Sequence, residues 1–237
     1  MNTNNTVELI GTYGGDETHA LSAWTSTARD LDEVQARPTV MADGSVHTTK
    51  RTRIPHLLKM LADDGHGTPF EKSFIHFLVT TDIASHIHLL KHRIGVSVNS
   101  ESARYKELME DKIYVPTDWP ANERIAYIQH AQLCFSRYHE TLDRLVAQGV
   151  PRKRAKESAR FYLPYGMQYT ADVAFNFRSF YHFVKLRYST HAQEEIREIA
   201  RCMLQAVHET GKFDLTLQAF GLVKDGKLIK PFGGKKK

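Results

Sequence analysis

The stretch "SFIHFLVTTDIASHIHLLKHRIG", residues 73–95, changes its apolar rhythm once, and that change sets the fold class. In its first half Ile75, Phe77 and Val79 fall on one face of an extended chain, with Phe74, His76 and Leu78 on the other. Apolar groups on both faces predict a strand covered on both sides. From Asp82 the spacing becomes helical: Ile83, Ile87, Leu90 and Ile94 form a narrow stripe expected to face the core. A helix continued to Gly95 would set His88, Lys91 and His92 together on its far side, and the serine-rich run beyond would be a loop.

On the N-terminal side, "VELIGTYGG" reads as a short strand closed by a Gly-Gly turn and "DETHALSAWTSTARD" as a helix. The next fifty residues are polar, with Pro38 and Pro55, and settle only in a short helix, "RIPHLLKMLADDGHG", that ends near Gly65. On the C-terminal side "KIYVP" predicts a strand stopped by Pro116. Residues 122–148 form the longest helix, with Ile125, Ile128, Phe135, Leu142 and Val146 inward and Gly149 as its stop. Pro151 opens a basic helix, "PRKRAKESARFYLP", that must end at Pro164. "MQYTADVAFNF" alternates as a strand. Helices follow in "SFYHFVKLRYS" and "AQEEIREIARCMLQAVHETG", the latter with Ile196, Ile199, Ala200, Met203 and Val207 as its buried stripe. The class is α+β, helix-rich, with a few strands in the middle of the chain. No linker or repeat divides the 237 residues, so one domain is expected.

Composition is that of a globular protein: 41% hydrophobic and 25% charged. No apolar run is long enough to cross a bilayer, and the start "MNTNNTVELIGTYGGDE" lacks a basic region followed by an apolar one, so a cytoplasmic location is expected. The net charge of +5 favours an anionic partner, and the terminal "GGKKK" reads as a solvated tail.

Three chemistries compete for residues 86–105. His86, His88 and His92 suggest a metal, but on a helix His86 and His88 diverge, and Cys134 and Cys202 supply no tetrahedral site. Ser97, Ser100 and Ser102 suggest a nucleophile, but the G-x-S-x-G elbow is missing. Both cysteines read as packing thiols. Anion binding fits best: Lys91, His92 and Arg93 run into hydroxyl groups and then Arg104, donors suited to phosphate. Arg160, Arg178 and Arg187 stand beside aromatic residues, a combination that suits a nucleotide and equally single-stranded nucleic acid. A basic nucleic-acid-binding module without catalysis is therefore the alternative function, and a histidine-metal hydrolase a third.

The ordered segments "GHGTPFE", "KHRIGVSVNSESARY", "ESARFYLP" and "FNFRSFYHFVKLRYSTHAQEEIR" resemble the flavin-dependent thymidylate synthases over about residues 60–200. That family's signature is R-H-R, seven or eight residues, serine, then arginine and usually tyrosine. Here it is Lys91-His92-Arg93, eight residues, Ser102, Arg104 and Tyr105. The resemblance implies a single helix-rich domain around a central mixed or antiparallel sheet. It implies reductive methylation of dUMP to dTMP, with FAD as cofactor, methylenetetrahydrofolate as carbon donor and NADPH as reductant. It further implies a homotetramer with active sites at subunit interfaces, with no membrane and no specific nucleic acid as partner.

By the same resemblance, His66, Thr68, Lys91, His92, Arg93, Asn176, Arg178 and His182 match flavin contacts, and Glu71 a structural or flavin-side acid. His88, Lys91, Ser100, Glu101, Ser102, Arg104 and Arg160 match the dUMP side. Arg187 matches the arginine at the uracil edge, the one side chain with a catalytic role. Lys91 stands in place of the first arginine, Ser100 where glutamate is common, and His88 where glutamine is common.

Overall fold

The computed structural model describes residues 4–26, 53–102, 107–108 and 111–233. Strand β1 (Thr6–Tyr13) leads through Gly14-Gly15 into helix α1 (Asp16–Thr25). Then come α2 (Ile54–Asp63), a 3-10 turn (Thr68–Glu71), β2 (Phe74–Asp82), α3 (Ile83–Leu90) and β3 (Val96–Ser100). The long α4 (Ala121–Ala147), α5 (Arg152–Ala159), a 3-10 turn (Arg160–Tyr162) and β4 (Gln168–Phe175) follow. The chain ends in α6 (Phe177–Arg187), α7 (Glu194–Glu209), α8 (Asp214–Ala219) and the hairpin β5 (Val223–Lys224) and β6 (Lys227–Leu228). The main sheet is antiparallel with strand order β1-β2-β4-β3, which confirms the helix-rich α+β class.

The chain forms two compact units. The first comprises residues 1–7, 78–91 and 98–172. Its core is built by α4 packing on α5 and on the 3-10 turn at Arg160. Phe135 and Ala131 of α4 close on Ile113, Val115 and Met167, while Tyr138 and Leu142 close on Ala155 and Ala159 of α5. Small alanines on α5 allow its backbone to approach α4, so a short and otherwise basic helix is held by one face.

The second unit comprises residues 8–77, 92–97 and 173–237. Its centre is aromatic: Phe70, Phe77, Phe175, Phe177, Phe180, Phe183 and Phe213 are all fully buried. Phe177 stacks on Phe213 at 5.9 Å, and Phe70 meets Phe220 edge-on at 4.7 Å. Buried His19 lies among Phe70, Phe177 and Phe213. Its two ring nitrogens are assigned by their partners. The Thr216 hydroxyl donates to Asp16 Oδ1 (2.6 Å), so it accepts from His19 Nδ1 (3.0 Å). His19 Nε2 then accepts from the Ser73 hydroxyl (2.9 Å), whose oxygen takes the Phe177 N–H (3.3 Å). Burial lowers the His19 pKa to about 4, so the ring is neutral at pH 7.

Several local expectations are corrected. Strand β2 is buried on one face only: Ile75, Phe77 and Val79 are inaccessible, while Phe74 is 48% exposed. Helix α3 stops at Leu90 and not at Gly95, and its buried residues are Ser85 and Leu89. Ile87 and Leu90 of the expected core stripe are exposed, and Ile94, beyond the helix end, is 91% exposed. Residues 96–100 form a strand where a loop was expected. "KIYVP" makes only a single bridge, Ile113 to Met167. Ile125 of α4 points outward, whereas Phe135 and Leu142 are buried as expected. Residues 27–30 of the helix expected after Asp16 and the "GKKK" end of the tail lie outside the described residues.

Candidate active site

Helix α6 organises the residues of the second unit. Asn176 caps it, its side-chain oxygen accepting from Ser179 N–H (2.8 Å), which satisfies one of the first-turn donors. Phe177, Phe180, Phe183 and Val184 anchor the helix in the aromatic core. Two other stripes are then fixed in space. One carries Arg178, Tyr181 and Lys185, at spacings of three and four, toward a cleft of about 390 Å³ that His66, Gly67 and Phe220 also line. The other carries Asn176, Ser179, Phe183 and Arg187 against the loop that begins at His92.

The cleft brings charged groups and an aromatic wall together. Arg178 NH1 donates to Glu71 Oε1 (2.6 Å), which steers the guanidinium across Gly67. A Cβ at residue 67 would lie 2.7 Å from Arg178 Nε, so the glycine is what lets the arginine lie flat on the backbone there. Lys185 adds a second cation, and Tyr181 packs on Phe220 at 4.5 Å to give an aromatic wall. Lys185, an Arg178 shared with Glu71, backbone access at Gly67 and that wall offer positive charge and a flat surface to an anionic, ring-bearing ligand, with Asp63 an opposing charge in the lining. Thr68 and Arg93 are exposed.

The loop stripe is equally specific. Asn176 N–H donates to Gly95 O (3.2 Å) and the Ser179 hydroxyl to Ile94 O (2.7 Å). Gly95 has φ of +65°, and a Cβ there would lie 2.3 Å from Ser179 Oγ and 2.5 Å from Asn176 Nδ2. His92, expected on a helix face with His88 and Lys91, is instead buried in this loop, while Lys91 is exposed. Its ring meets Phe183 edge-on (5.1 Å), lies 5.9 Å from His182, and accepts from Arg187 Nε–H (3.0 Å). Burial lowers the Arg187 pKa from its usual value.

In the first unit the residues assigned to the dUMP side lie on α3, the end of β3 and the end of α5. His88 is half-buried on α3, and Lys91 caps that helix. Ser100 Oγ contacts His86 Nε2 (3.2 Å), and desolvation lowers the His86 pKa despite Asp82 nearby. Glu101 is tied to β4 twice: its N–H donates to Thr170 O (2.9 Å), and its carboxylate accepts from Thr170 N–H (3.0 Å). That pair fixes where the half-buried Ser102 begins. Arg160 is exposed at the start of its 3-10 turn, and its charge lowers the Tyr169 pKa against the larger upward effect of burial. Arg104 lies outside the described residues.

Reading the sequence alone passed over Lys185, Tyr181, Phe220 and Ser179, and weighed His86 only as a metal ligand. Lys185 had a visible signal, seven residues after Arg178 on one helix face. Phe220 and Ser179 had none, since their roles depend on what the fold sets beside them.

The family model described as "Thymidylate synthase complementing protein" matches residues 8–210. The flavin-dependent thymidylate synthase of Streptomyces avermitilis is 29% identical over 201 residues, covering 77% of this chain and 74% of that protein. The one from Kosmotoga olearia is 28% identical over 222 residues, covering 86% and 91%. Among solved structures, the UMP/dUMP methylase PolB from Streptomyces cacaoi bound with 5-Br dUMP is similar with a TM-score of 0.72. It is 26% identical, and the match covers 92% of this chain and 95% of that one.

Proposed function

The chain belongs to the flavin-dependent thymidylate synthase family and is a methyltransferase, and from that premise we propose that it methylates dUMP to dTMP. FAD is the bound cofactor, methylenetetrahydrofolate the carbon donor and NADPH the reductant. The observation that carries this reading is the second unit's α6, which sets Arg178 over the Gly67 cleft and Arg187 against His92 on one rigid element. His66, Thr68, Lys91, His92, Arg93, Asn176, Arg178 and His182 hold the flavin, with Glu71 orienting Arg178. When bound, the flavin supplies the redox chemistry of the methyl transfer.

On the substrate side, Ser102, Arg104 and Arg160 hold the phosphate, and His88, Lys91, Ser100 and Glu101 shape the nucleotide's surroundings. Arg187 meets the uracil edge. A guanidinium there favours the N3-deprotonated or enolate form of the base, raising electron density at C5, where the new carbon–carbon bond must form. The half-buried setting of Arg187 strengthens that effect, because water screens the charge less. One family model spans both compact units, which supports treating the whole chain as a single functional domain.

The exposed apolar side chains Phe74, Leu90 and Ile94 suit burial between subunits, and the proposed assembly is a homotetramer with interfacial active sites. Light scattering on a sizing column measures it directly. The function itself is tested by the absorption spectrum of the purified protein. A flavin spectrum, bleached by NADPH and restored by dUMP with methylenetetrahydrofolate, is expected. A colourless protein that takes up no added FAD would sink the reading. UMP is the competitor substrate to include, given the resemblance to a UMP/dUMP methylase.

A further inference from the structure

The loop from His92 to Gly95 lies along α6 for almost the full length of the helix. Its contacts fall at Asn176, Ser179, Phe183 and Arg187, spacings of three, four and four that define one helical stripe. The far end of the stripe is fixed from the other side as well. Tyr188, the next residue, accepts from Phe232 N–H (2.9 Å) and donates its hydroxyl to Ile229 O (2.9 Å). The backbone that carries Arg187 therefore has little freedom, and His92 holds its side chain by the Nε–H.

We infer that His92 is the positioning residue for Arg187: a buried, neutral imidazole, protonated at Nδ1, whose Nε2 lone pair holds the guanidinium by its Nε–H. The tautomer follows from the contact. Arginine has only N–H donors, so the nitrogen facing it at 3.0 Å must be an acceptor, which leaves the ring proton on Nδ1. A doubly protonated ring would have no lone pair there and would set two cations in contact away from water. His92 is thus excluded as a proton donor from Nε2 while Arg187 is docked. Because Nε is used toward the loop, recognition of a carbonyl edge falls to the two terminal amino groups of the fork, and His92 sets their plane. Phe183 holds the imidazole itself edge-on at 5.1 Å, and Gly95 allows the loop to return to α6.

This inference rests on the reading of Arg187 as the uracil-edge arginine, and its test separates the two. Calorimetric titration of dUMP into flavin-saturated enzyme is done for the wild type, H92F, R187A and the double variant, with H92Q beside them. His92→Phe keeps the ring packing and loses the acceptor, so dUMP binding is expected to weaken about tenfold to a hundredfold, the range for losing a hydrogen bond to a charged group. In the Arg187→Ala background the same change is expected to add nothing, as for two residues acting as one unit. His92→Gln, which restores an acceptor, is expected to recover binding to within about threefold. Weakening of FAD retention with dUMP affinity intact, or full additivity in the double variant, would overturn the inference. Should H92F fail to fold, a tenfold loss in H92Q would overturn it alone. Ring nitrogen-15 spectra of the flavin-free protein give a readout independent of substrate. A proton on His92 Nδ1 is expected, and one on Nε2 contradicts the pairing. A wild-type enzyme that makes no dTMP while showing the Nδ1 proton would sink the proposed function and leave the His92–Arg187 pairing standing.

Discussion

Acid should loosen the second unit through one residue, His19. Its ring is inaccessible to solvent, and burial lowers its pKa to about 4 from the ordinary 6.5. At roughly 1.4 kcal/mol per pH unit, the gap corresponds to about 3 kcal/mol. The sign follows from proton binding. Between pH 6.5 and 4 the unfolded chain holds a proton on His19 that the folded chain does not, so stability falls as pH falls through that window. Above pH 7 the residue contributes no slope, and below 4 the loss is complete. Asp16, whose carboxyl is pushed up by burial, acts in the opposite sense, so the measurement is a difference between two proteins that both retain it. Wild type and His19→Gln are unfolded with denaturant at a series of pH values from 8 to 4, at one fixed protein concentration. The stability advantage of the wild type at pH 8 is expected to shrink by about 3 kcal/mol as the pH reaches 4. A difference that stays flat across the series would refute the reasoning, since it would mean that His19 takes up its proton equally in both states.

Three further outcomes follow from single sites. Gly95→Ala forces a side chain into a left-handed backbone and onto Ser179 and Asn176, and should cost about 2–4 kcal/mol in denaturant unfolding, with dTMP formation lost as the loop leaves α6. Gly67→Ala meets the movable Arg178 side chain first, so stability should hold within about 1 kcal/mol while FAD dissociates about tenfold more readily by absorbance after gel filtration. Arg187→Ala should retain FAD and part of its NADPH oxidation yet nearly abolish dTMP formation, and Arg187→Lys should be impaired as well because the planar fork is gone; full methyl transfer by Arg187→Ala would refute the uracil-edge role.

How far the sequence could be read depended on whether local pattern and tertiary contact agreed. Helix α7 was legible because Ile196, Ile199, Ala200, Met203 and Val207 all bury on one amphipathic face. Strand β2 was legible as a strand, but alternation does not say which face is covered, and Phe74 and Leu78 lie on the open one. Helix α3 was misread because Ile94 continues the apolar spacing past the true end. The chain leaves the helix after Leu90 so that His92 can bury its ring against Phe183 and take the Arg187 N–H. Local periodicity carries no trace of a partner ninety-five residues away. For the same reason Lys91 and His92, adjacent in a motif, have opposite exposures. Strand β3 was hidden by polar residues at Ser97, Asn99 and Ser100, for which edge-strand positions are as suitable as loop positions. The motifs named His66, Asn176, Arg178 and Arg187 but not Tyr181, Lys185 or Phe220 beside them, and Gly95, read as a helix stop, proved to be the point at which the loop touches α6.

The central claim is that this chain moves a one-carbon unit onto uracil with a flavin in the cleft beside Arg178. Incubating the purified, FAD-loaded protein with dUMP, NADPH and methylenetetrahydrofolate labelled in its methylene carbon tests that claim most directly. The label is expected in the C5 methyl group of dTMP by mass spectrometry, with none formed when FAD is stripped. Flavin-loaded protein that returns dUMP unchanged would contradict the account.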